Sequence, residues 1–389
     1  MASVTEQATL NLRSITLRPA YNLTMWLAFV LCLLSDRMLV GAAMAQINDD
    51  APKAIVPSDQ TQNAPIVIAH RGASGYLPEH TTEGVVLAHA MQVDYIEQDV
   101  VLSKDGIPVV FHDLILDDLT NAASIFPDRQ RPDGRWHVMD FTLDELRTLT
   151  VTERRSPSRP WKDKGNRFPL ESGSFRISTL AEHLQLIQGL TKTRPNQAGV
   201  YVEFKGPAEH RAAGLDISKA ILEVLTQYGY DSTDDRIYLQ CFDEAEVRRL
   251  RKELKTPLLI IQLLSQPADA AKLKAIAEVA DGIGVPLSHV VTGKNADGTP
   301  QLTELVRDAH ASALQVHVWT FRTDALPGFA GSAAEYLEWL VATAGVDGIF
   351  ADQPDVVVDW RTARREQVNG GNSFRLLNER GEEKSSSGK

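Results

Sequence analysis

The chain has 389 residues, of which 43% are hydrophobic and 23% are charged, as in an ordinary folded protein. This length allows one large hydrophobic core or two modest ones. The formal net charge of −11 argues against nucleic acid as a partner, because nucleic-acid binders need basic patches that neutralise phosphates. An anionic small-molecule substrate would therefore need positive charge concentrated at one site.

Residues 1–45 have the pattern of a secretory signal peptide. A segment with two arginines precedes an apolar run over residues 23–34, and an Ala-x-Ala sequence ends at Ala45. The apolar run is shorter than a typical bilayer-spanning helix. We therefore predict cleavage after Ala45, export to the periplasm or the exterior, and no stable membrane insertion after cleavage. An uncleaved membrane anchor and a translation start at Met25 are the alternatives.

The two ends of the exported chain are polar. Residues 46–64 are predicted to be a linker, and residues 361–389, rich in Gly, Ser and charged side chains, a flexible C-terminal tail. The folded domain would then span residues 65–360. Cleavage would leave Cys241 as the only cysteine, so the fold must be stable without an internal disulfide.

Short apolar, β-rich runs alternate with helical patterns along this domain. Strands are predicted at 66–69, 94–100, 199–204, 236–241, 258–263, 282–286, 314–320 and 346–350. Helices are predicted at 81–92, 179–190, 211–229, 243–255, 267–280, 302–312 and 332–344. Eight strands alternating with helices predict the α/β class and a TIM-like (β/α)8 barrel. An open doubly wound sheet is the competing architecture, but no glycine-rich dinucleotide loop follows any strand.

The alternation is interrupted after the second strand. Turn residues 103–106 separate that strand from the apolar run 108–111 with no room for a helix, which predicts a β-hairpin. The return strand would end at His112, opposite Asp99. Residues 115–175 are then predicted to form an inserted subdomain over the active-site mouth, because insertions after barrel strands lie there.

Polar side chains follow the predicted strands at their C-terminal ends, where barrel enzymes place their chemistry. The set comprises His70, Arg71, Glu97, Asp99, His112, Glu203, Lys205, Gln240, His317 and Trp319. Neighbouring parallel strands end at the same edge of a sheet, so we expect these side chains to surround one site.

Three acids in this set suit a metal ion. Glu97 and Asp99 lie two positions apart on one strand, so their side chains project to the same face. Two carboxylates inside a barrel mouth would repel unless a cation or a proton lay between them. Together with Glu203 they offer hard oxygen donors and no thiolate, which suits Ca²⁺ or Mg²⁺ better than zinc. A solvated acidic face is the alternative.

The remaining charged residues suggest chemistry on a phosphate. His70 and His112 could act as general base and general acid near neutral pH. Arg71 and Lys205 are cationic donors that suit phosphate oxygens. With a carboxylate-bound ion, this combination predicts metal-assisted phosphoryl transfer.

Four other histidines fall on predicted helices, where a hydrogen-bonded packing role is expected. They are His89, His183, His210 and His310.

These motifs resemble the glycerophosphodiester phosphodiesterases, in particular their periplasmic branch. The resemblance covers about residues 66–358 and rests on AHRGASGYLPEHT, DYIEQDVVLSKDGIPVVFHD, VYVEFK, YLQCF and DGIFADQPD. It implies a TIM-like barrel with an inserted subdomain. It also implies calcium-dependent hydrolysis of deacylated phospholipids, such as glycerophosphocholine and glycerophosphoethanolamine, to glycerol 3-phosphate and an alcohol.

The resemblance also implies roles for single residues. The acid–base pair would be His70 and His112, the ligands of Ca²⁺ (or Mg²⁺) Glu97, Asp99 and Glu203, and the phosphate contacts Arg71 and Lys205. Trp319 falls where the family often has an aromatic near the substrate, with a plain core aromatic as the alternative. From its place at a strand end, Gln240 is predicted as a further substrate contact. The sequence PEHT replaces the commoner PENT, so His80 is expected to be a helix-start residue only.

Other functions compete with this one. A phosphodiesterase of the same barrel type could act on intact lipids in the manner of a phospholipase D, but no amphipathic basic helix for docking on anionic lipid is evident. A non-catalytic exported binding protein would be expected to have lost a histidine or an acid. A sugar isomerase would not need the two cations at the site. The sequence leaves the oligomeric state open, with a homodimer as one possibility.

Overall fold

The computed structural model describes residues 64–155 and 167–367. The predicted signal peptide, nearly all of the linker and the end of the predicted tail lie outside these ranges. Among the described residues, no helix is long and apolar enough to cross a membrane.

The strands found in the described ranges are, in chain order, Ile66–Ala69 (β1), Tyr95–Leu102 (β2), Pro108–Val110 (β3), Gly199–Phe204 (β4), Ile237–Cys241 (β5), Leu259–Leu263 (β6), Gly282–Pro286 (β7), Val291–Lys294 (β8), Pro300–Leu302 (β9), Gln315–Phe321 (β10) and Gly348–Ala351 (β11). Eight of them pair in parallel in the order β1-β11-β10-β7-β6-β5-β4-β2. Pairing of β1 with β2 closes the ring, which confirms the predicted barrel.

Side chains of the barrel strands alternate between the interior and the surrounding helices. The interior is filled by Ile68, Tyr95, Tyr201, Tyr238, Ile261 and Phe350. The other face of each strand packs under the helices in one large apolar cluster, to which Ile96 and Val100 belong. Both faces are buried, so the strands read as nearly continuous apolar runs. The same alternation puts Glu97 and Asp99 on the interior side with Tyr95.

The α-helices found in the described ranges are Thr82–Ala90, Ala122–Ile125, Leu143–Leu146, Leu180–Thr193, Pro207–Ala212, Ile217–Gln227, Glu244–Lys252, Ala270–Ile276, Leu305–Ala311, Ala333–Glu338 and the segment 354–367. A capping box of Thr179 and Glu182 starts the 14-residue helix Leu180–Thr193 of the barrel wall. The prediction of one helix over 211–229 was wrong. Gly214 has a φ of 78° and divides the region into two helices.

The predicted hairpin is present, because β3 runs antiparallel to β2. Its register is one residue from the prediction: the amide of Phe111, and not that of His112, donates to the carbonyl of Asp99 at 2.8 Å. The described part of the 115–175 segment packs against this hairpin through an apolar cluster of its own, comprising Leu116, Leu119, Trp136, Val138, Phe141, Leu146, Leu149, Val151 and Phe175 among others. The insertion therefore has a small core continuous with β2 and β3.

A second sheet and a C-terminal helix were not predicted. Strands β8 and β9 form a second, two-stranded antiparallel sheet. The helix over 354–367 continues past residue 360, where the tail was predicted to begin. Its Arg361 side chain is buried and donates to the Pro65 carbonyl at 3.0 Å, which ties this helix to the start of β1. The folded domain thus extends beyond its predicted end.

Candidate active site

The C-terminal ends of the barrel strands surround a cavity of about 370 Å³. Every predicted site residue except Asp99 and His317 lines it, together with Phe242, Leu263, Thr320, Arg322 and Phe350. Asp99 is 1% exposed and contacts residues of the lining. His317 was wrongly placed at the site: it lies in the barrel interior, where its Nδ1 is 2.8 Å from the Tyr201 hydroxyl.

Strand register brings the three predicted metal ligands together. Asp99 on β2 pairs with Glu203 on β4, and Glu97 lies two residues earlier on the same interior face. One carboxylate oxygen from each residue lies within 4.8 Å of the other two. All three side chains are buried. The Lys205 ammonium lies 2.8 Å from Glu203 Oε1 and 3.9 Å from Asp99 Oδ1, and the Gln240 amide donates to Glu97 Oε1 at 2.7 Å.

The acids differ in their affinity for a proton. Burial raises the pKa of Glu203 to about 8, with Asp99 adding to the rise and Lys205 opposing it. Burial and the charges of Asp99 and Glu203 also raise the pKa of Glu97 well above its usual range. Burial would raise the pKa of Asp99 too, but Lys205 and two neighbouring histidines lower it well below that range. Such a cluster must hold protons or a cation near neutral pH.

The cluster fits a hard divalent ion. Its donors are carboxylate oxygens, which Ca²⁺ and Mg²⁺ prefer. Asp99 Oδ1 and the adjacent Gln240 Oε1 are buried oxygens without a hydrogen-bond partner. Buried oxygens of this kind are usually satisfied by water or by an ion. Glu97, Asp99 and Glu203 could therefore hold a metal ion.

His70 is held by a carboxylate on one side and faces the acids on the other. Its Nδ1 lies 2.6 Å from Asp352 Oδ1, and its Nε2 lies 3.8 Å from Glu97 Oε2. Burial, followed by the charge of Arg71, lowers the pKa of His70 to about 4. An ionised Asp352 requires the proton on Nδ1, so Nε2 is left free to accept a proton.

His112 is oriented in the same way. Its Nδ1 lies 2.5 Å from Oδ1 of the next residue, Asp113. Burial and the charges of Arg71 and Lys205 lower the pKa of His112 to about 3. Both histidines line the cavity with Nδ1 occupied, and this leaves each Nε2 available for proton transfer.

A left-handed turn after β1 aims Arg71. Arg71 and Gly72 have φ values of 58° and 78°. A Cβ on Gly72 would lie 3.1 Å from the backbone of Gly84, so glycine is required there for space as well as for conformation. The turn lets the Arg71 amide donate to Glu97 Oε2 at 2.9 Å while its guanidinium donates to Glu79 Oε1 at 2.9 Å. Strained backbone of this kind is common at functional sites.

Several residues of the site were not predicted. Asp352 and Asp113 hold the two histidines, Glu79 holds Arg71, and Arg154 holds Glu79. His80 was expected only to start a helix, but its Nε2 lies 2.7 Å from Asp99 Oδ2. Four of these five residues stand in or next to quoted motifs: Glu79 and His80 in PEHT, Asp113 in FHD and Asp352 in FADQPD. The place of these four residues inside the motifs was the signal from which their role at the site could have been predicted.

The other predicted side chains take varied places. Trp319 is at the cavity, with its ring 5.9 Å from that of Phe242 and perpendicular to it. Among the four helical histidines, His210 is fully hydrogen-bonded, since its Nε2 accepts from the Leu102 amide and its Nδ1 contacts the Gly206 carbonyl. This confirms its packing role.

A family model supports the same interpretation. Residues 70–356 match the glycerophosphoryl diester phosphodiesterase family. The chain is 38% identical over 360 residues to a glycerophosphodiester phosphodiesterase of Haemophilus influenzae, covering 85% of this chain and 97% of that protein. It is 34% identical over 322 residues to one of Treponema pallidum, covering 75% of this chain and 90% of that protein.

Solved structures share the fold. A glycerophosphodiester phosphodiesterase of Agrobacterium tumefaciens superposes with a TM-score of 0.50 at 20% identity, covering 76% of this chain and 100% of the other. A phosphodiesterase of Oleispira antarctica, solved with its product sn-glycerol 3-phosphate, superposes with a TM-score of 0.54 at 23% identity, covering 76% of this chain and 96% of the other. At such identities the likeness concerns the barrel alone. From the matched length and the identity to its relatives, we conclude that this chain belongs to the glycerophosphoryl diester phosphodiesterase family and is an enzyme of that class.

Proposed function

We propose that the enzyme hydrolyses small glycerophosphodiesters, such as glycerophosphocholine and glycerophosphoethanolamine, to sn-glycerol 3-phosphate and an alcohol. We further propose that His70 and His112 carry the acid–base chemistry. The observation that supports this most directly is that both imidazoles face one cavity with Nδ1 bound to a carboxylate, beside Arg71. This arrangement leaves two proton-transfer atoms next to a cationic donor for a phosphodiester.

The cofactor we propose is a divalent ion, with Ca²⁺ favoured over Mg²⁺, held by Glu97, Asp99 and Glu203. Such an ion would supply positive charge that stabilises the phosphorane-like charge of the transition state. Calcium is favoured because it accepts several carboxylate ligands in flexible geometry, whereas Mg²⁺ usually keeps most of its waters.

The protein side chains would perform the remaining steps. Arg71 binds the phosphodiester, since its guanidinium lies at the cavity. The bound anion opposes the charges of Arg71 and Lys205, so it raises the pKa of the histidines and allows one of them to hold a proton. One histidine removes a proton from the nucleophile through Nε2, and the other protonates the oxygen of the leaving alcohol.

Two nucleophiles fit this scheme. Water would give glycerol 3-phosphate directly, whereas the glycerol 2-hydroxyl would first give a cyclic phosphate. A substrate analogue without the 2-hydroxyl separates them. It is hydrolysed at a comparable rate if water attacks, and it is inert if the hydroxyl attacks.

The histidine roles are tested by His70→Ala and His112→Ala. Each should lower kcat by on the order of 100-fold or more, since a positioned acid or base contributes about 10²–10⁴ to the rate. His310→Ala is the matched control, because His310 pairs with Asp347 on the surface and lies outside the cavity lining. A variant that keeps kcat within tenfold of the unmodified enzyme rules out the role assigned to that histidine.

We also propose that the enzyme acts outside the cytoplasm. The proposal rests on the signal-peptide pattern of residues 1–45, which lie outside the described ranges. Expression with and without residues 1–45, followed by cell fractionation, tests it. The full chain should release a protein that begins near residue 46 into the periplasm or medium, and retention in the cytoplasm would contradict the proposal.

A further inference from the structure

Two arginines of the insertion reach the carboxylates that orient the histidines. Arg154 donates to both oxygens of Glu79, at 3.0 and 2.5 Å, and also pairs with Asp113. Arg167 donates to Asp352 Oδ2 at 2.7 Å. Only 4% of each arginine side chain is exposed. Both guanidinium groups are therefore buried parts of the protein interior rather than mobile surface charges.

Each of the two aspartates contacts a histidine through one carboxylate oxygen and an arginine of the insertion through the other. Asp113 uses Oδ1 for His112 and Oδ2 for Arg154. A carboxylate bound through both oxygens cannot rotate about its last torsion without losing a charge-assisted hydrogen bond. The arginine therefore determines the direction from which the carboxylate meets the imidazole.

The second carboxylate has an equivalent arrangement. Asp352 uses Oδ1 for His70 and Oδ2 for Arg167, and Arg322 donates to the same Oδ2 at 2.7 Å. Burial raises the pKa of Asp352, but Arg322, His70 and Arg167 together lower it well below the usual range, so the two arginines help to offset the cost of burying its charge.

We infer that Arg154 and Arg167 are positioning residues that connect the insertion to the two proposed catalytic histidines, each through one carboxylate. The insertion is then a structural part of the catalytic apparatus. This inference rests on the proposed function, because it assumes that His70 and His112 transfer protons.

The two arginines should differ in one measurable respect. Through Glu79, Arg154 also holds Arg71, the proposed phosphate contact. Within the described ranges, Arg167 also donates to Asp324 and to the Ser74 carbonyl, neither of which lines the cavity. Arg154 therefore affects substrate binding through Arg71 as well as proton transfer, whereas Arg167 acts on proton transfer through Asp352 and has no such link to Arg71 among its described contacts.

The test compares Arg154→Met and Arg167→Met, which keep the length of the stem and remove the charge. Arg167→Met should lower kcat by about 10- to 100-fold with KM changed less than about threefold, because small misplacements of a reacting group cost about this much. Arg154→Met should lower kcat by a similar factor and raise KM severalfold. The split between kcat and KM would not follow from loss of stability alone.

Arg249→Met is the matched control. Arg249 donates to Asp216 and to the buried Glu246, so it also holds a buried carboxylate, but it lies outside the cavity lining. Its loss should lower the melting temperature and leave kcat and KM unchanged. If a methionine variant of either insertion arginine fails to fold, the corresponding lysine variant is measured instead. It should show changes in kcat and KM in the same directions, but smaller.

Double variants show whether each arginine acts through its carboxylate. The kcat of Asp113→Asn with Arg154→Met should be close to that of Asp113→Asn alone, and likewise for Asp352→Asn with Arg167→Met. Losses that multiply would overturn the inference. So would arginine variants with unaltered kcat while His70→Ala and His112→Ala are inactive. If the histidine variants are active as well, the proposed function has failed instead.

Discussion

His80 adopts a backbone conformation that is uncommon for residues other than glycine. Its φ is 62°, in the left-handed region, and its side chain is 4% exposed. Asparagine, whose short polar side chain can hydrogen-bond locally, also occurs in this region, which agrees with the commoner PENT form of the motif. The hydrogen bond from Nε2 to Asp99 Oδ2 is the compensation that the structure offers. His80 therefore holds one carboxylate of the proposed metal site in place.

Removal of this hydrogen bond should weaken metal binding. We expect His80→Ala to lower the affinity for Ca²⁺ by about 10- to 100-fold, as do other substitutions of groups that orient metal ligands. His80→Gln keeps a donor and should stay within about threefold. Calorimetric titration of Ca²⁺ into the protein without substrate measures both. Equal affinity of His80→Ala and the unmodified protein would show that Asp99 needs no such support.

Single residues explain where sequence reasoning about the site succeeded and where it did not. Glu97 and Asp99 were predicted to lie together because they are two positions apart along β2. Glu203 was added because neighbouring parallel strands end at the same edge of a sheet. Asp352 was not predicted, since its contact with His70 joins residues 282 positions apart. Sequence spacing carries no information on such a contact before the register of the barrel is known.

Some positions in the barrel strands require glycine, because a side chain of the neighbouring strand occupies the space that a Cβ would need. A Cβ on Gly348 of β11 would lie 2.6 Å from the ring of His317 and 2.9 Å from Ile66. Apart from its chain neighbours and the backbone of its own helix, Leu180–Thr193, Gly189 has no atom within 4 Å of its Cβ position. Substitution by alanine should therefore have opposite effects on stability at Gly348 and at Gly189.

Gly348→Ala should lower the free energy of unfolding by about 1–3 kcal/mol, the usual cost of overpacking. Gly189→Ala should raise it by about 0.5–1 kcal/mol, because alanine loses less entropy in a helix. Urea unfolding of both variants measures the difference. A Gly348→Ala protein as stable as the unmodified one would mean that the barrel yields at this point.

Strands and helices were predicted correctly where an apolar run and the neighbouring turn residues indicated the same element. Apolar runs located all the barrel strands to within one or two residues, and the turn at 103–106 identified the hairpin. The break at Gly214 and the β8–β9 hairpin were missed, since neither interrupts the apolar periodicity on which the predictions relied.

The whole barrel keeps an uncharged histidine in its interior, and this affects its stability in acid. Burial lowers the pKa of His317 from 6.5 to about 4. As pH falls below 6.5, the unfolded chain binds a proton before the folded one does. The folded protein therefore keeps its full free energy of unfolding above pH 6.5, as far as His317 is concerned. The free energy of unfolding then falls as the pH drops from about 6.5 to 4.

His317→Gln removes this titration. We expect the free energy of unfolding of the variant to decline less steeply over that pH range, by on the order of 2–3 kcal/mol in total at 1.36 kcal/mol per pKa unit. Urea unfolding at several pH values compares the two slopes. Parallel curves for variant and unmodified protein would contradict the account, whatever the variant's stability at neutral pH.

We propose above that a divalent ion bound by Glu97, Asp99 and Glu203 serves the hydrolysis of glycerophosphodiesters. The most direct test is the release of glycerol 3-phosphate from glycerophosphocholine by the purified enzyme, first with EDTA and then with Ca²⁺, Mg²⁺ or Zn²⁺ added back in excess. We predict that chelation abolishes release, that Ca²⁺ restores it best, and that Glu203→Gln prevents the restoration. Full activity in EDTA, or no activity on this substrate with any ion for a folded protein, would contradict the claim.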